Sequence, residues 1–493
     1  MINSPSDTKL LVTAYLWNFL SNGVVRSFGI VSTLILVRIL DSDDFGIVAI
    51  GMMVVGFFDV LANIGVNRYL ILKEDPTHQD YSSAWTFNVC LRILLFLSLL
   101  IASSFIAQFF DNPELQFVFI FLGSIQVIGA FNNIGLVKLE KELNFSIKNK
   151  ILMLAKVFSF AATLSAAFYF QSYFAMLAGL LINSIVFLIA SYILCSYRPK
   201  FLLKFDRELV TFSMFLFVRN FIGYARAQMD LFIISSSFGK SVTGEFSVAK
   251  NFSMLPLGEL IGPAMAPVFS ALSKLKGKPA ELETKSFQAL FLMYLVIIPA
   301  AIGTYMVSAP FTAIVLGEKW LHVHSVLGML AFLMFPFTTQ PILNILYDAK
   351  NKVRQSILID VIGIFTLIVS VYYFVPNTLS EFVDIRLQVA FFMFLFSLMH
   401  AKAVTDLSLT KMSIILIIPI IPSTIMYVAI DACKSLGGNA LEELFIQVGV
   451  GVLAYSACLL LIALIQVNFL KSKFVNQMIP EKAHRILNFG YTA

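Results

Sequence analysis

Apolar residues run in stretches of about 20, one after another, from Leu10 almost to the C-terminus, with short polar turns between them. At about 1.5 Å of rise per helical residue, each stretch is long enough to cross roughly 30 Å of hydrocarbon. The pattern therefore predicts an all-α polytopic membrane protein. A β-barrel would instead show short alternating segments, and those are missing. The helices expected are about 14 transmembrane spans, at 10–38, 45–68, 81–109, 114–136, 150–170, 172–196, 208–236, 243–268, 285–308, 322–346, 355–375, 382–403, 411–431 and 442–469.

Charge then orients the spans. Alternate loops collect the basic residues: Lys9; Arg68 and Lys73; Lys138, Lys141, Lys148 and Lys150; Arg198, Lys200, Lys204 and Arg207; Lys274, Lys276, Lys278 and Lys285. Lys350, Lys352 and Arg354 continue the series, followed by Lys402 and Lys411, then Lys471, Lys473, Lys482 and Arg485. The opposite loops hold Arg38, Lys240, Lys319, Arg386 and Lys434. The positive-inside rule predicts both termini in the cytoplasm. The net charge of +6 is thus a topological signal, and no nucleic acid is expected as a partner. The opening "MINSPSDTK" is polar and runs into a stretch too long for a cleaved leader, so it reads as a retained first span. Composition agrees, with 59% hydrophobic and 13% charged residues where a soluble protein has about 25% charged. The four cysteines are scattered without C-x-x-C spacing, so neither a metal site nor a disulfide framework is read. No cofactor is called for.

The chain also echoes itself. A shift of 198 residues sets Gly46 on Gly244 and Asn22 on Asn220. At slightly larger offsets "FFDNPEL" (109–115) matches "VLGEKWL" (315–321), and "KLEKELNFSIKNK" (138–150) matches "DAKNKVRQS" (348–356). Matches that keep their order predict a duplicated six-span unit. An even number of spans gives both copies the same orientation, so the expected fold is two six-helix lobes related by a pseudo-two-fold axis along the membrane normal. The lobes are 1–200 and 201–408, and 409–493 adds a last helix pair and a tail. A cavity is expected where the lobes meet, and the paired glycines are read as easing tight helix starts.

"LVRILDSDDFG" after the first helix, "LANIGVNRYLILKED" after the second, and "VLGEKW" at 315–320 resemble the polysaccharide-transporter (Wzx-type) family of lipid-linked oligosaccharide flippases. That family shares a superfamily (MOP) with MATE exporters and lipid II flippases. The resemblance spans nearly the whole chain. It implies alternating access in the bacterial inner membrane, with an undecaprenyl-pyrophosphate-linked oligosaccharide, destined for O-antigen or exopolysaccharide, as cargo. Membrane lipid is the other implied partner. The sequence leaves open whether a polysaccharide polymerase and a chain-length regulator work beside it.

An ionisable group at a helix centre costs roughly 2.5–3.5 kcal/mol to insert, so it needs a partner or a wet cavity. In the first span Asn18, Asn22, Arg26, Gly29 and Thr33 form one stripe by their steps of three and four. Gly56, Asp59, Asn63 and Asn67 do so in the second span, at a depth where Asp59 can meet Arg26. The seventh carries Arg219, Gly223, Arg226 and Asp230, the last two an i,i+4 pair. Arginine forks suit phosphate oxygens, so Arg26, Arg219 and Arg226 are expected to line an anion-binding cavity, with Arg92 and Asn22 as further substrate contacts. Asp59, Asp230, Glu259 and Asp360 are the candidates for ion coupling or charge pairing. Lys156 and Lys250 read as snorkelling near helix ends. Gly258-x-x-x-Gly262 followed by Pro263 reads as close packing with a kink.

Three decoys fall away. Gly239-Lys240-Ser241 lacks the first glycine of a phosphate-binding loop, since Ile234 stands there. His322 and His324 have no third ligand in view. No nucleophile–base constellation stands out and the outer loops are short, which argues against a membrane-bound polymerase or ligase. The competing reading is a MATE-like exporter of small cations, for which a net acidic cavity would be expected.

Overall fold

The structure, a computed structural model, describes residues 23–62, 66–142, 144–203, 207–275, 277–405, 407–434 and 436–469, without the side chains of 66, 68, 207–219 and 463–469. Among these residues the regular structure is helical and there is no strand. Among the described residues ten helices are long and apolar enough to cross a membrane, or up to twelve if each of two bent pairs is one span. Their outward faces are apolar as well: Ile101, Phe105 and Ile193 are 76%, 73% and 74% exposed. Water would not tolerate so much bare hydrocarbon, whereas lipid solvates it and leaves the helix to satisfy its own backbone. Contacts divide the chain into two compact units, Met1–Ser247 and Val248–Ala493.

The first unit contains α1 (23–39), α2 (Ser42–Ala62), α3 (Val66–Leu72), α4 (His78–Phe109), α5 (Glu114–Ala130), α6 (Gly135–Lys141), α7 (Ser146–Phe170) and α8 (Phe174–Leu194). Most of α9 (Arg207–Ser253) belongs to it too. Leu40 and Asp41 alone separate α1 from α2. Asp44 fastens that corner, its carboxylate accepting from the N–H of Asp41 at 3.1 Å and of Tyr173 at 2.8 Å. A capping box starts α4, with Thr77 and Asp80 exchanging side-chain-to-backbone bonds. The hydrogen bond from Lys73 to Asp80, 2.8 Å, holds that ammonium above the ordinary lysine range. The single span expected at 114–136 is bent by 62° between α5 and α6. The brief connection expected at 170–172 is a turn at Gln171, whose φ of 47° ends α7. Ile47, Ile50 and Met53 of α2 pack on Leu115, Val118 and Phe119 of α5 to form the core.

Helix α9 has 47 residues, about 70 Å, twice what one crossing needs. It is interrupted at Gly239, where φ is 79° and ψ −173°. A glycine takes that left-handed value without the clash a side chain would meet. The helices expected at 208–236 and 243–268 therefore meet in a turn of one non-helical residue.

In the second unit a π-helical turn at Leu257–Ile261 and a 45° bend lead into α10 (Gly262–Ser273). The 45° bend falls at 254–256, before the Gly258–Pro263 stretch where the kink was expected, and a Cβ on Gly258 would meet nothing within 4 Å, so that glycine makes no close packing. There follow α11 (Pro279–Met306), α12 (Ser308–Phe311), α13 (His324–Leu330), α14 (Met334–Ala349), α15 (Val353–Phe374), α16 (Leu379–Thr405), α17 (Leu409–Cys433) and α18 (Ala440–Phe469). Tyr294, Leu343, Tyr347, Phe394 and Ile415 are core residues here. Buried hydroxyls find partners: Tyr294 Oη lies 2.5 Å from Thr339 Oγ1, and Tyr455 Oη donates to the Leu295 carbonyl at 2.7 Å, tying α18 to α11.

Candidate functional site

Among the described residues of the first unit, a polar constellation joins α2, α4 and α5. Arg92 lies about 21 Å from the start of α4, and Asp59 about 26 Å from the start of α2. One guanidinium nitrogen, Nη1, donates to Asp59 Oδ1 at 2.7 Å and to Gln126 Oε1 at 2.8 Å. Nε donates to Asn88 Oδ1 at 3.2 Å, one turn back on α4. Side-chain exposures of 16% for Arg92 and 34% for Asp59 make this a partly buried pair. The sequence reading set Asp59 opposite Arg26; the structure gives the carboxylate to Arg92 instead. Helical depth alone cannot tell these arginines apart, because it fixes height along the membrane and leaves the neighbouring helix undefined. Neither Gln126 nor Asn88 stood out in the sequence, although Asn88 and Arg92 share the i,i+4 spacing.

On the other side of Phe58 lies an apolar cavity of about 600 Å³ between α2, α4 and α9. Phe57, Phe58, Phe105, Phe109 and Phe232 line it, with Phe109 and Phe232 stacked at 5.9 Å between centroids. Tyr224 closes one side, its hydroxyl donating to the Met53 carbonyl at 2.6 Å. A Cβ on Gly56 would sit 2.4 Å from that oxygen, so the glycine is what admits the tyrosine. Phe58 is shared with the small space around Asp59 and Arg92, which sets a greasy chamber beside a charged cluster.

A second constellation joins the turn before α2 to the break in α9. A Cβ on Gly46 would lie 1.8 Å from the Lys240 carbonyl oxygen, and one on Gly244 would lie 1.8 Å from the Ser42 carbonyl oxygen. The glycines expected to ease helix starts thus serve a close backbone crossing. Ser42 and Ser241 share a hydrogen bond of 2.8 Å between hydroxyls, while the Lys240 ammonium stands 3.4 Å from both Asp43 and Glu114.

The remaining expected residues are scattered. Arg26 is half-buried on α1, Arg226 is exposed on α9, and Asp230 is buried at 2% exposure. Asn22 and the side chain of Arg219 lie outside the described residues, as does Asn63. In the second unit Glu259 is exposed on the π-helical turn and Asp360 is half-buried on α15. A network there escaped sequence reasoning: His400 Nδ1 is 3.0 Å from the Tyr347 hydroxyl, and its Nε2 is 3.0 Å from Gln355 Oε1. A neutral imidazole satisfies both contacts, accepting from the phenol and donating to the amide oxygen. Ion pairs, notches and an apolar cavity can hold an amphiphile.

A family model described as polysaccharide biosynthesis protein matches residues 35–325. The lipopolysaccharide biosynthesis protein WzxC of Escherichia coli is 23% identical over 356 residues, covering 71% of this chain and 72% of its own. Among solved structures, the lipid II flippase MurJ in an inward-closed conformation superposes with a TM-score of 0.73 at 14% identity, over 93% of this chain and 100% of that one. An inward-facing multidrug resistance MATE transporter of the MOP superfamily gives 0.62 at 16% identity, over 77% and 95%. The resemblance read from the sequence motifs is borne out.

Proposed function

Since the chain belongs to the polysaccharide biosynthesis protein family, we propose that it is a flippase for undecaprenyl-pyrophosphate-linked oligosaccharide units, destined for O-antigen or exopolysaccharide, in the bacterial inner membrane. The observation that carries this reading is the pairing of charge and grease in the first unit. The Arg92–Asp59 pair stands beside a phenylalanine-lined cavity of about 600 Å³, with Phe58 between the two. A cargo with a pyrophosphate head and a polyprenyl tail needs both. Its polar head passes through a hydrated cationic path while the tail stays in apolar surroundings, and no covalent bond is broken. Arg26, Arg219 and Arg226, with Asn22, are the groups assigned to the head. Glu259, Asp360 and Asp230 are assigned to coupling or charge pairing. A polymerase and a chain-length regulator are fitting partners downstream.

In this reading α1 completes a first span, Gly239 divides α9, and each bent pair is one crossing, which makes about fourteen spans. The even number and the basic loops put both termini in the cytoplasm. The crossing of residues 42–46 with 240–244 supports two lobes related by a two-fold axis. Each glycine meets the carbonyl four positions before its own counterpart, which is the reciprocity of an isologous contact.

The MATE-like fold keeps a second reading in play, an exporter of small cations. Charge weighs against it: the Asp59 carboxylate beside the cavity is already neutralised by Arg92. Deletion of the chain, followed by measurement of lipid-linked intermediates on each leaflet, tests the proposal. Accumulation on the cytoplasmic leaflet is expected. An unchanged distribution between leaflets would reject it.

A further inference from the structure

Lys156 occupies a place the sequence did not foresee. Helix α7 begins at Ser146, so Lys156 is ten residues in, about 15 Å from one end and about 21 Å from the other. That is about three turns into the helix, deeper than the sequence reading set it. The side chain turns sideways to α1. Its Nζ is the heavy atom nearest to where a Cβ of Gly29 would stand, at 3.6 Å. The crossing of the two helices is held one residue away on α1 and one turn away on α7, where the rings of Phe28 and Phe160 meet edge-on at 5.1 Å.

The half-buried ammonium makes no hydrogen bond and no ion pair among the described residues. The nearby described hydroxyls of α1 bond into their own helix and not to the ammonium: Thr33 donates to the Gly29 carbonyl at 3.0 Å and Ser27 to the Gly23 carbonyl at 2.9 Å. Three N–H donors are therefore unspent in a place where a charge without a counter-charge is disfavoured. Arg26 lies three residues before Gly29 on the same face of α1. A compact ammonium on α7 and a planar fork on the stripe of α1 beside it are complementary to a phosphate group, and their two geometries suit the two phosphoryl groups of a pyrophosphate.

Resting on the flippase reading, we infer that Lys156 contacts the substrate directly, binding a phosphate oxyanion of the cargo against the Gly29 notch. The same oxyanion chemistry exists in anionic phospholipid headgroups, so the test separates the two sources. Full-length protein is placed in nanodiscs of phosphatidylcholine, with or without phosphatidylglycerol, and titrated with farnesyl pyrophosphate. Wild type is expected to bind it, and Lys156→Gln to bind about tenfold more weakly or worse. Lys156→Arg should recover most of the affinity. Gly29→Leu, which keeps the lysine but fills the notch, should lose it as Lys156→Gln does. Farnesyl pyrophosphate should also slow acylation of Lys156 by an amine-reactive ester, a protection that a merely structural lysine would not show. Equal binding by wild type and Lys156→Gln overturns the inference and leaves the flippase reading standing. Absence of binding by the wild type sinks both. Displacement of the probe by phosphatidylglycerol at bilayer concentration would assign the site to lipid headgroups and overturn the role proposed.

Discussion

The turn before α2 and the break in α9 have the same backbone plan but opposite charge. Both interrupt helix over one or two residues, at Leu40–Asp41 and at Gly239, and both place a glycine a few residues later, Gly46 and Gly244. There the likeness stops. The first carries Asp43 and Asp44, whereas Lys240 and Val242 fall in the corresponding region of the second. Segments that meet about a two-fold axis would face like charge with like if they were identical. Here an ammonium meets a carboxylate 3.4 Å away. Ser42 and Ser241 need no opposite charges, because hydroxyls can pair with each other, one donating while the other accepts. The two segments thus share a backbone plan where they cross and differ in side chains where like charges would repel.

The glycines give the largest way to break this comparison. Each admits a carbonyl to 1.8 Å of its missing Cβ, and that carbonyl belongs to backbone, which cannot rotate aside. Gly46→Leu and Gly244→Leu should each cost about 3 kcal/mol or more, the upper end of overpacking penalties, and much of the folded protein with it. Thermal unfolding of the detergent-solubilised chain measures this. Because one opened crossing makes room for both side chains, the double substitution should cost clearly less than the sum. Strict additivity would mean that the two glycines do not report on one contact.

A deeper pair sharpens the contrast between buried and rim electrostatics. Arg92 binds Asp59 with 16% of its side chain exposed, while Lys240 has 35% exposed beside Asp43 and Glu114. Arg92→Gln strands a partly buried carboxylate and should destabilise by about 3 kcal/mol. Adding Asp59→Asn should recover at least half of that, since the amide no longer needs a counter-charge. The same unfolding measurement decides; no recovery would show that Arg92 stabilises through Gln126 and Asn88 rather than through the ion pair.

Much of this architecture was legible in the sequence, and the illegible part has a physical cause. Apolar runs of bilayer length gave the spans, because the solvent dictates their length. Ordered matches located the two turns, and Gly239 stood at the predicted outer turn between the seventh and eighth spans. What periodicity could not supply was azimuth across helices. Asp59 was set opposite Arg26 and pairs with Arg92, since position along a helix does not say which neighbouring helix a side chain meets. Lys156 stands one turn further into its helix than expected, because α7 starts at Ser146, four residues before the expected boundary. His400 was invisible for a different reason. Its partners Tyr347 and Gln355 come from α14 and α15, and nothing in the spacing of three neutral residues marks them as one network.

The smallest effect tests the charge complementarity itself. Lys240 is shared between two carboxylates, Asp43 and Glu114, whose side chains are 49% and 51% exposed. Such a pair contributes about 1 kcal/mol or less, so Lys240→Ala should shift stability only slightly. Lys240→Glu should do more, because it sets a third acid against Asp43 and Glu114 with Asp44 close by. Swapping the charges, Asp43→Lys with Lys240→Glu, restores one attractive pair and should regain part of the loss. Raising the salt from about 0.15 M to about 1 M shortens the screening length to about 3 Å and should erase most of the difference between Lys240→Glu and the swap. Persistence of that difference at high salt would show that the two turns are matched by packing of the side-chain stems and not by the sign of their charges.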